Sequence, residues 1–189
     1  MLLYRVAPYS AAAKVPTQAG HPSYLHKPQG LGRIDNPGVY DVWYLSHTEA
    51  GAVGETFARF TEWQDAMFDF KNIPDSPEAR YALHTYSVPD NCRIVDLDDA
   101  QALTDNGIRP THVVTPNRTV TQRWAHKLYN ATTMTGLAWD GVQWWSRHNP
   151  NWPVLGLWRT VPEYVQSSEL SVTHAAVIDA AAAITRTIK

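Results

Sequence analysis

The sequence predicts an α+β fold in which helices flank a small mixed or antiparallel sheet. The chain has 189 residues, 44% of them hydrophobic and 18% charged, which is typical of one globular domain with a sizeable core. Short segments rich in aromatic and β-branched residues follow one another in hairpin-like pairs, with helical patterns between them. This order disfavours a doubly wound parallel sheet. We therefore expect residues 1–189 to form a single domain.

The first third of the chain predicts a strand, a long irregular segment, a second strand and a helix. Residues 2–8 (LLYRVAP) form the first strand, and the Pro-, Gly- and Ser-rich residues 10–38 form the irregular segment. Residues 39–46 (VYDVWYLS) form the second strand. Ser46 and Glu49 make an S-x-x-E capping box. A helix is predicted to follow, from about His47 to about Phe70.

One face of this helix is apolar at helical spacing and is predicted to pack on the sheet. It carries Ala50, Val53, Phe57, Phe60 and Met67. Glu55 lies off this stripe, on a polar face that it shares with Arg59. An i,i+4 ion pair between these two is the structural alternative to a functional carboxylate.

The remaining elements alternate between strands and helices. Strands are predicted at 79–89, 92–97, 137–146 and 154–160, and Cys92 is expected to be a buried thiol in the second of these. A short helix is predicted between Asp98 and Gly107, and another begins at Thr119 or Thr121. The Ala-rich tail predicts a helix over about 171–188, which packs on the domain or joins two copies in a homodimer. Its apolar face consists of Val177, Ala181, Ile184 and Ile188.

Composition and missing motifs exclude several classes of function. A net charge of −2 without a basic cluster argues against direct nucleic-acid binding. A single cysteine, no membrane-spanning run and no signal peptide predict a cytoplasmic protein. The sequence has no G-x-G-x-x-G, phosphate loop, H-E-x-x-H, C-x-x-C or G-x-S-x-G motif. His21 and His26 share a loop without a third ligand, so we expect no metal site.

The candidate site residues begin with a spacing. Arg33, Tyr44 and Glu55 follow one another at intervals of eleven, in a turn, a strand and a helix. Each also has a structural reading: a solvated loop arginine, an aromatic that fills the sheet face, and a helix ion pair. Ser146, in WWSR, similarly reads as a polar residue that closes a strand. The eight tryptophans and nine tyrosines are typical of a core, or of strands that border a cleft for a flat ligand.

Five segments, taken in order, resemble the RES-domain family, the toxins of bacterial toxin–antitoxin systems. They are LYRVAP, GLGRIDNPGVYDVWYLSHTEAGAVGETF, YSVPDNCRIVDL, TVTQRWAHKLY and DGVQWWSR. The resemblance covers roughly residues 2–158. The sequence departs from the family after Arg33, where Ile34 and Asp35 precede Asn36 in place of the usual aromatic and asparagine.

The resemblance implies an ADP-ribosyltransferase-like fold around an NAD cleft, and destruction of NAD+ by cleavage of its nicotinamide–ribose bond. NAD+ is then a substrate, and no resident cofactor is implied. Arg33, with Arg5, binds the diphosphate, and Tyr44 stacks on nicotinamide. Glu55 binds a ribose hydroxyl and stabilises the positive sugar, and Ser146 orients the ribose or Glu55 without attacking.

The resemblance also implies an Xre-type antitoxin, a helix-turn-helix DNA-binding protein. The simplest way for such a partner to block the toxin is to close the cleft over Arg33 with an acidic group that mimics phosphate. The acceptor of the ribose and two alternative functions stay open at this point. The acceptor is water in a glycohydrolase and inorganic phosphate in a phosphorylase. A protein mono-ADP-ribosyltransferase cleaves the same bond, and a non-catalytic, aromatic-rich binding module is the alternative from another class.

Overall fold

The computed structural model describes residues 1–74 and 76–189 and confirms the α+β class. The strands are β1 Leu2–Tyr9, β2 Trp43–Ser46, β3 Glu62–Trp63, β4 Arg80–Ser87, β5 Ile94–Asp96, β6 Gly141–Trp145, β7 Pro153–Leu157, β8 Glu163–Glu169 and β9 Thr187–Ile188. Seven of them form a mixed sheet in the order β5-β6-β7-β2-β1-β4-β8, in which only β5 and β6 run parallel. A parallel pair, β3 and β9, forms a second sheet.

The large sheet is divided between β1 and β2. β1 pairs with β4 through all eight of its residues, and β2 pairs with β7 through all four of its own. Between β1 and β2, by contrast, the only pair is Tyr4↔Ser46. Arg5 and Leu45, which would form the next pair, lie beside a cavity instead. The sheet therefore consists of two well-paired halves that separate from one another beyond a single residue pair.

Helices cover both halves of the sheet. They are α1 Glu49–Phe57, α2 Ala100–Asn106, α3 Pro110–Val113, α4 Arg118–Asn130 and α5 Ala175–Ala183, with a 3-10 helix at Asp65–Phe68. α4 packs in one core cluster with residues of β5, β6 and β7. α1 and α5 share a second cluster with β1 and β4, and a third lies around Trp43 and Tyr86. Within the described residues, no helix is long and apolar enough to cross a membrane.

The prediction for the first helix is wrong at both ends. Ser46 stays in β2, paired with Val154, and Thr48 caps the helix by accepting a hydrogen bond from the backbone N–H of Gly51 at 3.0 Å. The helix ends at Phe57, not near Phe70. Continuing the stripe would have buried Phe60, which is 40% exposed, whereas Trp63 is completely buried. Burial of the larger indole surface overrides the helical spacing.

Several other boundaries also differ from the predictions. Asp99 caps α2 in place of Asp98, while Gly107 ends it in the left-handed conformation (φ 63°) as predicted. α4 starts at Arg118 behind an Asn117 cap. Cys92 is half-buried and precedes β5, with its Sγ 3.7 Å from the hydroxyl of Thr160. β8 was not predicted, because this edge strand is exposed along most of its length and lacks apolar alternation.

The tail folds back on the domain. Its helix is shorter than predicted, and Val177 and Ala181 are buried in the same cluster as Val53 and Phe57 of α1. Ile188 belongs to β9, not to the helix. The small residues of the tail thus serve internal packing, and the homodimer stays a prediction. Residues 10–38 contain no helix or strand beyond one bridge, Asn36↔Tyr40, as predicted.

Candidate active site

A cleft opens where β1 and β2 separate. Its volume is about 480 Å³, within the range of small-molecule sites. Arg5, Arg33, Tyr44 and Glu55, which the sequence singles out, all line it. Five arginines face a single carboxylate among the described lining residues, in a protein whose net charge is −2. The remaining wall consists of Tyr4, Val6, Gly32, Leu45, Ser46, Ala52, Thr56, Arg59, Arg118, Trp144, Arg147, His148 and Val154.

Arg33 is a positioned guanidinium and not a solvated loop residue. Its Nη1 donates to the carbonyl oxygens of Val113 and Thr115, both at 2.8 Å, at the C-terminal end of α3. The hydroxyl of Thr121 donates to the backbone carbonyl of Arg33. Burial, followed by the charge of Arg118, lowers the pKa of Arg33. Because only Nη1 is used in hydrogen bonds among the described residues, the rest of the donor fork is available to an anion in the cleft.

The turn around Arg33 is organised by Asp35. Its buried carboxylate accepts from the backbone N–H groups of Gly30 and Gly32 at 2.8 and 2.7 Å, and from the Tyr44 hydroxyl at 2.6 Å. A Cβ on Gly32 would collide with both Asp35 and Tyr44. The residues that depart from the family pattern therefore shape the turn: Asp35 fastens it, and Ile34 is fully buried against the position of Gly156.

Tyr44 joins this turn to the cleft wall. Its oxygen also accepts from the backbone N–H of Ile34 at 3.0 Å, and its ring meets Trp144 edge-on, with centroids 6.4 Å apart. Burial, and then the charge of Asp35, raise the pKa of Tyr44 far above its ordinary value. The hydroxyl is therefore a neutral group, and its hydrogen bonds to the turn fix the Tyr44 side chain beside the cleft.

Glu55 projects from α1 on the side away from Val53 and Phe57. Val53 and Phe57 are 0% and 2% exposed, whereas Glu55 is exposed, which confirms the predicted helix phase over this stretch. The ion pairs of the described residues do not include the alternative Glu55–Arg59 pair. Arg59 instead covers the ring of Phe60, 4.6 Å from its centroid. The Glu55 carboxylate is left facing the cleft, where its charge acts on Arg33 and His148.

Arg5 forms the opposite wall, on the β1 side of the gap. Its Nη1 donates to the carbonyl oxygen of Tyr24 at 3.3 Å, and its guanidinium lies 5.1 Å from the ring centroid of Trp43. Burial is the main cause of its lowered pKa. The irregular segment thus holds this second arginine through Tyr24, on the far side of the cleft from the Arg33 turn.

A comparison with protein-family models shows which family this chain belongs to. The RES domain family matches residues 2–179, nearly the whole chain. The chain belongs to the RES domain family. No curated protein matches it at a significant level. Among solved structures it is similar to a chain of the M. tuberculosis MbcT–MbcA toxin–antitoxin complex, with a TM-score of 0.56 at 16% identity, over 97% of this chain and 88% of that one.

Ser146 stands apart from the other predicted site residues of this RES domain. It is 2% exposed and does not line the cleft. Its backbone N–H donates to the carbonyl of Trp152 at 2.9 Å, and its hydroxyl oxygen accepts from the backbone N–H of His148 at 3.0 Å. Ser146 therefore shapes the loop after β6, whereas its two neighbours, Arg147 and His148, line the cleft.

The RES domain also brings ionisable residues to the cleft that the sequence analysis did not identify as site residues. They are Arg59, Arg118, Arg147 and His148. Arg147 and His148 directly follow the quoted WWSR serine, which was the one available signal. Arg118 begins α4. Nothing in the sequence around Arg118 indicates that the turn at Arg33 lies near it. Among the described residues no group of three or more acidic, His or Cys side chains is placed to hold a metal ion.

Proposed function

We propose that this RES domain is a toxin that degrades NAD+ by cleaving the bond between nicotinamide and ribose. One observation carries the proposal: the Glu55 carboxylate faces a group of arginines across a cleft that also has an aromatic wall. A dinucleotide with a cationic nicotinamide ring and a diphosphate needs these features together. The family and the fold support the assignment, and the following steps derive it from the residues.

The arginines suit the diphosphate. Arg33 presents a fixed donor fork, and Arg118 and Arg147 act on its charge from nearby. Guanidinium forks bind phosphate oxygens through paired, charge-assisted hydrogen bonds. Because Nη1 of Arg33 is already held by two carbonyls, little side-chain entropy is lost when the substrate binds.

Glu55 and Tyr44 suit the reacting half of NAD+. Breaking the C1′–N bond sends its electron pair to nicotinamide, which leaves as a neutral base and leaves an oxocarbenium-like ribose. A carboxylate beside that sugar stabilises the transition state more than the ground state. The Tyr44 ring, held by its hydroxyl, offers a flat surface to the nicotinamide.

An antitoxin partner belongs to the same proposal. The related MbcT–MbcA structure is a toxin–antitoxin complex. We propose an Xre-type antitoxin that closes the cleft here with an acidic group on Arg33. Leu31, 92% exposed and two residues from Arg33, gives the rim an apolar contact for such a partner.

The test is incubation of the purified chain with NAD+ alone, with and without inorganic phosphate, while free nicotinamide is measured. We expect release of nicotinamide, and a phosphate requirement would identify a phosphorylase. Glu55→Gln and Arg33→Ala should remain folded and lose about 10²–10³-fold in kcat/KM. Glu163→Gln on β8 and Arg123→Ala on α4 are matched controls at exposed positions.

Two results would redirect the proposal. Transfer of label from NAD+ to a protein in cell extract, without free ADP-ribose, indicates a mono-ADP-ribosyltransferase. No nicotinamide release under any condition, from a folded protein that also leaves cellular NAD+ and growth unchanged when expressed without its partner, supports the non-catalytic binding module.

A further inference from the structure

We propose that His148 is a further catalytic residue, which receives the proton of the attacking water, and that Ser146 is the positioning residue that holds it at the cleft. This inference rests on the proposed NAD+ cleavage and names groups for the acceptor side of that reaction. It also gives the buried Ser146 a role different from the direct orientation of ribose that the resemblance implies.

The position of His148 is the first observation. The half-buried imidazole lines the same cleft as Glu55 and Arg33, while Ser146, two residues earlier, does not reach it. The Ser146 hydroxyl oxygen accepts a hydrogen bond from the backbone N–H of His148 at 3.0 Å. A serine so placed fixes where the main chain of His148 lies, whereas its own side chain is not part of the cleft lining.

The loop that carries His148 is fastened to the helix that carries Glu55. Trp152 closes the loop: its carbonyl accepts from the Ser146 N–H, and its N–H donates to the carbonyl of Asn149 at 3.0 Å. Its ring lies against Gly54, where an added Cβ would stand 2.6 Å from Cη2 and nearer still to Cζ3. Gly54 directly precedes Glu55. The imidazole and the carboxylate are therefore held relative to each other by one interlocked contact.

The surroundings of His148 keep the imidazole neutral. Burial is the largest cause of its lowered pKa, and the charge of Glu55 on α1 opposes it. Arg147 on the same loop, Arg186 near the C-terminus and Arg33 in its turn lower it further. A neutral imidazole accepts a proton, whereas imidazolium can only donate, so a base is available near neutral pH.

The proposed step balances as follows. The water oxygen bonds to C1′ as the C1′–N bond breaks and its electron pair leaves with neutral nicotinamide. One water proton passes to a ring nitrogen of His148, and Glu55 stabilises the resulting imidazolium. His148 then returns the proton to solvent, and the products are ADP-ribose, nicotinamide and one proton.

The experiment compares His148→Ala with the exposed α4 control His126→Ala, in the absence of phosphate. We expect His148→Ala to lose about 10²–10⁴-fold in kcat with KM for NAD+ within a few-fold of the unsubstituted protein. It should also lose the acid limb of the kcat profile, and added imidazole should restore part of the rate. Wild-type kcat, or failure of imidazole to raise the rate of a folded His148→Ala protein, would overturn the proposal.

Ser146→Ala tests the positioning role separately. We expect a fall in kcat of about tenfold, retention of the acid limb, and recovery in Ser146→Thr, which keeps the hydroxyl. If Ser146→Ala does not fold, the imidazole rescue of His148→Ala still tests whether His148 is the base. An unsubstituted protein that releases no nicotinamide either with or without phosphate refutes the proposed function itself. Release that requires phosphate, or activity that is indifferent to His148, refutes this inference alone.

Discussion

Gly54→Ala perturbs the contact between α1 and the His148 loop without touching a charged group. Gly54 is buried inside α1, and its missing side chain leaves room for the ring of Trp152, which is 5% exposed. A methyl group there would lie 2.6 Å from Cη2, where ordinary contacts measure 3.4–4 Å. Because Trp152 is enclosed and its loop is anchored at Ser146, the ring has to shift as a unit.

Two opposing effects set the magnitude. Replacing a helical glycine by alanine stabilises a helix by about 1 kcal/mol, while overpacking a core costs about 1–3 kcal/mol. If the ring leaves its site completely, the loss approaches the ~3–5 kcal/mol of removing a buried tryptophan. The difference between the first two terms is a net loss of up to about 2 kcal/mol in the free energy of unfolding, and we expect with it a lower kcat for nicotinamide release.

Denaturant unfolding followed by tryptophan fluorescence measures the stability change, and a double-mutant cycle with Trp152→Leu isolates the contact. The smaller leucine makes room for the methyl group, so Gly54→Ala should cost less in that background than alone. A gain of about 1 kcal/mol in the single variant would show that Gly54 is an ordinary helix glycine and that the proposed interlock does not exist.

Two further predictions concern stability. Phe57 is 2% exposed and meets Phe68 and Tyr81 edge-on, with ring centroids 5.3 Å apart. Phe57→Ala should therefore lower the free energy of unfolding by ~3–5 kcal/mol, whereas Glu55→Ala should lower it little. Urea unfolding measures both, and the reverse order would show that the predicted phase of α1 is wrong. Burial, then the charge of Arg5, lower the pKa of the fully buried His84 to about 4 from an ordinary 6.5, so the unfolded chain binds its proton first. The stability that the neutral His84 contributes is complete above about pH 6.5 and is lost as the pH falls toward 4, by up to about 1.4 kcal/mol per pH unit. In His84→Phe, the free energy of unfolding should depend less on pH in this range. Equal slopes of the free energy of unfolding against pH in both proteins would contradict the prediction.

The sequence predicted the local part of the site well, because Arg33, Tyr44 and Glu55 lie on consecutive elements. β2 runs directly from the turn into α1, so short connections fix where these side chains can go. The helix phase that exposes Glu55 follows from Val53 and Phe57 alone. Such information is contained within about 25 residues and does not depend on the rest of the chain.

The distant part of the site could not be predicted in this way. The carbonyls that fix Arg33 belong to Val113 and Thr115, eighty residues and more along the chain, and no local pattern indicates that contact. Ser146 illustrates a different limit: a serine that closes a strand looks the same in sequence whether its hydroxyl faces the cleft or its own loop. The core gives a similar example. Helical spacing predicts that Phe60 is buried, but it carries no information on the nearby Trp63, whose larger ring is buried instead.

The charge of the cleft explains why a substrate and an inhibitory partner would compete for one site. Five arginines and one glutamate are among the described residues that line it. Burial, and then the charges of Arg118 and Arg147, lower the pKa of Arg33, so these like charges disfavour one another. Any small anion that enters relieves the repulsion, whether it is a diphosphate or the carboxylate of a partner. Because the protein as a whole carries a charge of −2, this attraction is confined to the cleft and does not extend to a long polyanion. Under the proposed function, a partner that offered an acidic group at this position would bind by the same interaction as the diphosphate, and inhibition would require no change in the fold.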